Sequence, residues 1–200
     1  MNLPNKLTIF RIILVPIMVV IPFFNIPGEL WGVPVYMWLM NLVFIIASIT
    51  DKLDGTIARA RNQITTFGKF LDPIADKILV LAAMMLLVEM NKLPAWIPII
   101  ILFREFIVSG YRLIAVEKGG KVVAASMWGK LKTVTQMIAI ILAFIDTSYY
   151  GAIFNGGLTG YSYLINFAVT IMMSICVIAT IFSGYDYIKN GKDLFKEENK

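Results

Sequence analysis

Asp51-Lys52-Leu53-Asp54-Gly55-Thr56-Ile57-Ala58-Arg59, followed after eight residues by Gly68-Lys69-Phe70-Leu71-Asp72-Pro73-Ile74-Ala75-Asp76, sets four carboxylates, two glycines and an arginine within sequence that otherwise has membrane-spanning character. On insertion scales each carboxylate at the centre of a bilayer costs about 2.5 kcal/mol or more. Four so close together repel one another unless positive charge lies between them. A bound divalent cation is the simplest source of that charge.

Spacing assigns the aspartates to two helix faces. Asp51 and Asp54, three residues apart, lie about 60° apart around a helix, and Asp72 and Asp76, four apart, about 40°. The polar segment 60–67 can turn the chain, so that two antiparallel spans bring the pairs together near one membrane surface. Oxygen donors without Cys or His select Mg²⁺, Mn²⁺ or Ca²⁺ over Zn²⁺, as one ion or as two about 3.5–4 Å apart. Ala47, Asp51, Gly55 and Ala58 form one stripe of small side chains along the first of these helices. Such a stripe suits helix packing. With two aspartates beside it, it also suits close approach of a nucleotide or phosphate to the backbone, with Arg59 in reach of the phosphates. Ion pairs of the aspartates with Lys52, Arg59, Lys69 or Lys77 are the structural alternative, and a cation pathway is the alternative in transport.

The chain around this stretch has 200 residues, 58% of them hydrophobic and 16% charged, with a mean hydropathy of +0.77. That is too apolar for a soluble domain of average composition. About six apolar stretches of spanning length are expected: Thr8–Phe24, Tyr36–Ala60, Asp72–Met90, Ala95–Val116, Trp128–Ile145 and Leu164–Ile188. The expected architecture is therefore an all-α integral membrane protein of six transmembrane helices, with residues 1–200 as a single catalytic domain. Pro27-Gly28, Pro34, Asn91 to Pro94, Gly119-Gly120 and Gly156-Gly157 separate the spans. The first apolar stretch runs to spanning length without a small-residue cleavage site, so it reads as a span and not as a cleaved signal. Asn5 is expected to cap it.

Basic residues orient the spans. With the N-terminus and C-terminus both cytoplasmic, the outward loops near 25–35 and 147–163 carry no Lys or Arg. Lys92 is then the one basic residue outside, and the other 17 of the 18 lie on or near the inner side. The net charge of +5 thus reflects topology and anionic headgroups, and no nucleic-acid module is present. Cys176 stands alone, which excludes an intramolecular disulfide, and the chain has no His. A general base must come from a carboxylate, lysine, tyrosine or a metal-bound group.

A second polar set interrupts the later spans. Arg104 and Arg112 lie within the fourth, Lys130 and Lys132 begin the fifth, and Thr133 and Gln136 carry the polar face deeper. Glu105 is expected to pair with Arg112, seven residues on. The remaining cations suggest a dianionic ligand such as a sugar or glycerol phosphate; snorkelling of long basic side chains at helix ends is the plainer reading.

The run from Asp51 to Asp76 matches, at all eight fixed positions, the signature of the CDP-alcohol phosphotransferase family, which the chain resembles. The resemblance implies an integral membrane enzyme of six transmembrane helices, usually a homodimer. Such an enzyme transfers a substituted phosphate from a CDP-linked donor to an alcohol and releases CMP. It implies metal (Mg²⁺ or Mn²⁺, one or two ions) at Asp51, Asp54 and Asp72. Asp76 completes that site as the general base. Gly55, Ala58 and Gly68 give room for the nucleotide, and Arg59 lies near its phosphates. Asn2 to Thr8 with Arg11, Arg104-Glu105-Phe106, Ser109 to Leu113, and Gly129 to Thr133 resemble one branch, the bacterial phosphatidylglycerophosphate synthases. That branch implies CDP-diacylglycerol as donor and sn-glycerol 3-phosphate as acceptor, in the bacterial inner membrane with the site at its cytoplasmic face. Arg104, Arg112, Lys130 and Lys132 are then candidates for the acceptor phosphate, and Asn5 and Thr8 for the nucleotide end. A sister enzyme using phosphatidylglycerol, inositol phosphate or serine is the nearest alternative, and a cation transporter the remote one.

Overall fold

The computed structural model describes residues 2–24, 26–60, 66–117 and 126–191. Six long helices follow one another: α1 (Leu3–Val20), α2 (Val35–Ala60), α3 (Thr66–Glu89), α4 (Trp96–Glu117), α5 (Met127–Ile145) and α6 (Gly160–Gly191). Each contains one of the six apolar stretches or most of it. Among the described residues, three are long and apolar enough throughout to cross a membrane: Asn5–Phe24, Met127–Ile145 and Gly160–Lys189. In α2 an apolar helix is described over Val35–Asp51, and the side chains of residues 52–60 lie outside the described residues. Charged residues interrupt α3 and α4.

α1 packs on α2 and α3, α4 packs on α6, and α5 makes its most extensive contact with α6. Contact between α2 and α5 joins the two groups. Met40 and Phe44 of α2 and Ile140 and Phe144 of α5 are fully buried there, with the phenyl rings 6.4 Å apart. Asn41 Nδ2 donates across the same seam to the Ile141 carbonyl at 3.1 Å. Ala47, Ala83, Ala139 and Ala143 are buried, and such small residues let helix backbones approach closely. Large apolar side chains such as Ile13, Ile17, Phe103, Leu164, Ile178 and Ile181 face outward. In a protein of this composition that surface is matched to lipid. Pro16 and Pro73 lie inside α1 and α3, as membrane helices tolerate.

One expectation needs correction. α1 begins at Leu3 with Asn2 at its N-cap and a proline in its first turn, so Asn5 is an interior helical residue and is buried. The architecture is all-helical as expected, with one small addition among the described residues. Glu29–Leu30 (β1) and Val33–Pro34 (β2) form a small antiparallel hairpin. Its two turn residues, Trp31 and Gly32, have φ of 55° and 74°, the paired positive values of a tight type I′ connection.

The end of the bundle holding the α3–α4 and α5–α6 connections is closed by a polar knot. Asn166, fully buried, donates from Nδ2 to Asp146 Oδ2 (2.7 Å) and to the Tyr149 carbonyl (2.8 Å). It accepts at Oδ1 from the Ile153 amide (3.0 Å). Ser148 N–H donates to Asp146 Oδ1 (2.9 Å), and Lys92 Nζ to the Asp146 carbonyl (2.8 Å).

Candidate active site

The opposite end of the bundle is open. There α1 turns one polar face inward: Asn5, Thr8 and Arg11, at i, i+3 and i+6, are all buried. Thr8 Oγ1 donates to Asp72 Oδ1 at 2.7 Å. Arg11, fully buried, pairs through Nη1 with Asp51 Oδ1 at 2.5 Å. One helix therefore holds an aspartate from each of the two signature helices. The sequence had marked Arg11 only through the resemblance. The three-residue spacing of polar side chains in an apolar helix was the available signal.

Gly68 is buried near the start of α3. The backbone of α2 carries Asp54, Gly55, Ala58 and Arg59, whose side chains lie outside the described residues, as do those of Lys52 and Lys69. Among the described residues no three acidic side chains cluster closely enough to hold an ion; Asp54, the fourth of the set, is not among them. The donors nonetheless fit a hard divalent cation, being carboxylate oxygens throughout. The ion pair from Arg11 and the hydrogen bond from Thr8 hold two of the carboxylates, as outer partners of metal ligands do. Lys77, one of the partners that the ion-pair alternative offered, takes no aspartate among the described residues: its Nζ donates to Ser109 Oγ at 2.5 Å.

Asp76 is exposed and opens onto a cavity of about 630 Å³ between α3, α4, α5 and α6. The same cavity is lined by all four candidates for an acceptor phosphate: Arg104, Arg112, Lys130 and Lys132. With Lys77 that makes five basic side chains against two acidic ones, Asp76 and Glu105. Its apolar lining includes Val80, Leu81, Met84, Ile101 and Met137. Thr133 and Gln136 also face it, although Thr133 Oγ1 bonds back to the Gly129 carbonyl (3.1 Å) and Gln136 Nε2 contacts Met84 Sδ (3.5 Å).

Glu105 does not pair with Arg112. Its Oε1 takes Lys132 Nζ at 2.6 Å and Arg104 Nη1 at 3.1 Å. Seven residues return to the same helix face but climb about 10 Å, too far for a direct ion pair, whereas α5 supplies a cation at the same height. Arg112 instead donates from Nη2 to Tyr187 Oη at 2.8 Å, and Arg104 donates to Ser183 Oγ. Gly129 leaves room for this arrangement, since a Cβ there would lie 3.2 Å from Arg104 Nη2. Ser183 and Tyr187, one turn apart on α6, were not anticipated. Their signal was a polar pair, four residues apart, late in an apolar span.

The family model for CDP-alcohol phosphatidyltransferase matches residues 1–182. A Bacillus subtilis (strain 168) protein named CDP-diacylglycerol–glycerol-3-phosphate 3-phosphatidyltransferase is 39% identical over 207 aligned residues, covering 99% of each chain. A Haemophilus influenzae protein of the same name is 39% identical over 195 residues, covering 96% of this chain and 94% of its own length. A Mycobacterium tuberculosis protein named as a probable phosphatidylglycerophosphate synthase is 35% identical over 187 residues, covering 94% of this chain and 80% of its own.

Proposed function

The chain belongs to the CDP-alcohol phosphatidyltransferase family, and from that premise we propose that it transfers the phosphatidyl group of CDP-diacylglycerol to sn-glycerol 3-phosphate. The products are phosphatidylglycerophosphate and CMP. The observation that carries this choice of acceptor is the single cavity uniting Asp76 with Arg104, Arg112, Lys130 and Lys132. A carboxylate able to take a proton there faces an excess of positive charge suited to a phosphate dianion. A neutral alcohol such as serine would leave that charge unanswered.

In the reaction the acceptor hydroxyl oxygen attacks the β-phosphorus, which bears diacylglycerol. The bond from that phosphorus to the bridging oxygen breaks, CMP departs with the bridging oxygen, and Asp76 takes the hydroxyl proton. Arg104, Arg112, Lys130 and Lys132 hold the acceptor phosphate and orient its hydroxyl toward Asp76. Asp51, Asp54 and Asp72, with Asp76, would hold Mg²⁺ or Mn²⁺, one ion or two. When bound, the metal neutralises charge on the donor diphosphate and on departing CMP. Arg11 and Thr8 keep Asp51 and Asp72 in their orientations, while Asn5 and Thr8 line the nucleotide end with Gly55, Ala58, Arg59 and Gly68.

All six helices are taken as spans, with both termini cytoplasmic and the site at the inner face of the bacterial inner membrane. The strongest support is the separation of charge along the bundle. Lys92 lies with Asp146 at one end of α5, while Lys130, Lys132 and the arginines lie at the other. The helix between spans about 28 Å. The homodimer implied by the family resemblance would cover part of the outward apolar surface.

Purified protein supplied with CDP-diacylglycerol, Mg²⁺ and each candidate alcohol tests the proposal by CMP release. Glycerol 3-phosphate is expected to be the preferred acceptor. Faster release with inositol phosphate, serine or phosphatidylglycerol would overturn the choice of acceptor. Ion flux in liposomes without CMP release would favour the transporter.

A further inference from the structure

Tyr187 takes no part in the reaction as written, yet it is 2% exposed and lines the reaction cavity. Its hydroxyl accepts from Arg112 Nη2 at 2.8 Å. Both guanidinium groups lie over its ring, with the Arg104 and Arg112 Cζ atoms 5.8 and 5.7 Å from the centroid. Two like charges sharing one ring repel, and each arginine is held there by a different bond. Arg104 is partly neutralised by Glu105 and anchored to Ser183, one turn before Tyr187. Among the described residues Arg112 forms no ion pair, and it meets the Tyr187 ring and hydroxyl. The tyrosine thus holds a cation that no carboxylate among the described residues pairs with.

Resting on the acceptor reading above, we propose that Tyr187 is a positioning residue for the acceptor phosphate. It holds Arg112 beside Arg104 so that the two guanidiniums present a preformed site for a phosphate dianion, and it thereby sets acceptor affinity without entering the chemistry. A planar guanidinium held by one hydrogen bond and one ring face loses little further freedom when it binds an anion. α6, which contributes none of the signature aspartates, would then be the helix that makes the cavity selective for phosphorylated alcohols.

Steady-state kinetics of the purified full-length protein, varying each substrate separately, test this with Tyr187→Phe, Tyr187→Leu, Arg112→Ala and the double variant Tyr187→Phe/Arg112→Ala. For Tyr187→Phe, KM for glycerol 3-phosphate is expected to rise about tenfold, the worth of one charge-assisted hydrogen bond. KM for CDP-diacylglycerol and kcat should stay within about twofold. Tyr187→Leu, which also removes the ring, should raise the acceptor KM further, with the aromatic variant rescuing part of the loss. In the Arg112→Ala background, Tyr187→Phe should have no additional effect, because both changes remove one interaction. An unchanged acceptor KM in Tyr187→Phe, equal changes in both KM values, or additive effects in the double variant would each overturn the positioning role. If the wild-type protein itself releases no CMP with glycerol 3-phosphate, it is the functional reading that fails, before any variant is compared.

Discussion

The two ends of the helix bundle use similar side chains to opposite effect. At one end Asp146, Asn166, Lys92 and the adjoining backbone bond to one another: Asn166 alone makes three hydrogen bonds, each of 3.0 Å or less. At the other, Asp76 and five basic side chains line a cavity of about 630 Å³. A buried polar group satisfied by its neighbours has little left to offer a ligand and contributes to the fold. A set of cations outnumbering its carboxylates around an open volume keeps a positive excess that an arriving anion neutralises. The contrast separates structure from function more sharply than residue type does, since an aspartate sits at the heart of each.

Changing Asp76 to asparagine should have the largest effect. It preserves shape and removes the base, so CMP release is expected to fall about a thousandfold. Binding of a CDP-lipid, followed as thermal stabilisation, should be largely kept. Retained turnover would refute the base role and blur the contrast between the ends. The corresponding blow to the other end is Asn166→Ala. It deletes the three hydrogen bonds and leaves buried Asp146 without its side-chain partner, a loss of about 3 kcal/mol. Unfolding in detergent should show that loss, while kcat and both KM values of the folded protein stay unchanged. An effect on the acceptor KM would mean that the two ends are coupled.

Much of this division was legible in the sequence, for physical reasons that also explain the failures. A membrane helix must be long, apolar and self-satisfied in its hydrogen bonds, so α2, α4 and α5 begin and end within one or two residues of the expected positions. The cations of α4 and α5 were conspicuous because charge in an apolar span needs a cause. What stayed hidden depends on which helix packs against which. The pairing of Arg11 with Asp51 requires α1 to lie on α2. Glu105 and Arg112 share a helix face by angle but not a height, and Glu105 pairs instead with its neighbour Arg104 and with Lys132 of α5. The knot around Asp146 joins a helix end, a loop and α6, so no local pattern announces it. The hairpin at Glu29–Pro34 has only two residues per strand and puts Trp31 at positive φ, where glycine or asparagine would be the usual signal.

A smaller test asks whether the aspartates of the open end are held as metal ligands. Thr8→Val keeps the shape of α1 and removes the hydroxyl that donates to Asp72. Outer partners of this kind are worth about tenfold or more in metal affinity. The Mg²⁺ concentration for half-maximal CMP release should therefore rise about tenfold, with the rate at saturating Mg²⁺ nearly restored. Chelation should abolish activity in both proteins, and added Mg²⁺ or Mn²⁺ should return it. An unaltered Mg²⁺ requirement in Thr8→Val would mean that the contact serves only to pack α1 against α3.

The finest distinction lies in how the closed end answers pH. Asp146 and Lys92 face each other outside the spans, yet burial outweighs their attraction for both. Desolvation pushes the Asp146 carboxyl above its ordinary value of 3.8 against the hydrogen bonds from Ser148 and Asn166. It likewise draws Lys92 below its ordinary 10.5 against the pull of Asp146. For an acid whose folded pKa exceeds its unfolded one, the ionised form is the disfavoured one. The carboxylate therefore subtracts stability at neutral pH, and the cost is relieved as pH falls through the raised value toward 3.8. Asp146→Asn cannot titrate and serves as the reference: the melting temperature of the wild type relative to this variant should climb as pH is lowered from 7 toward 4. The opposite trend would show that the carboxylate is stabilised by its partners as an ion. The knot would then be an ion-pair lock, of the same electrostatic kind as the Arg11–Asp51 contact at the other end.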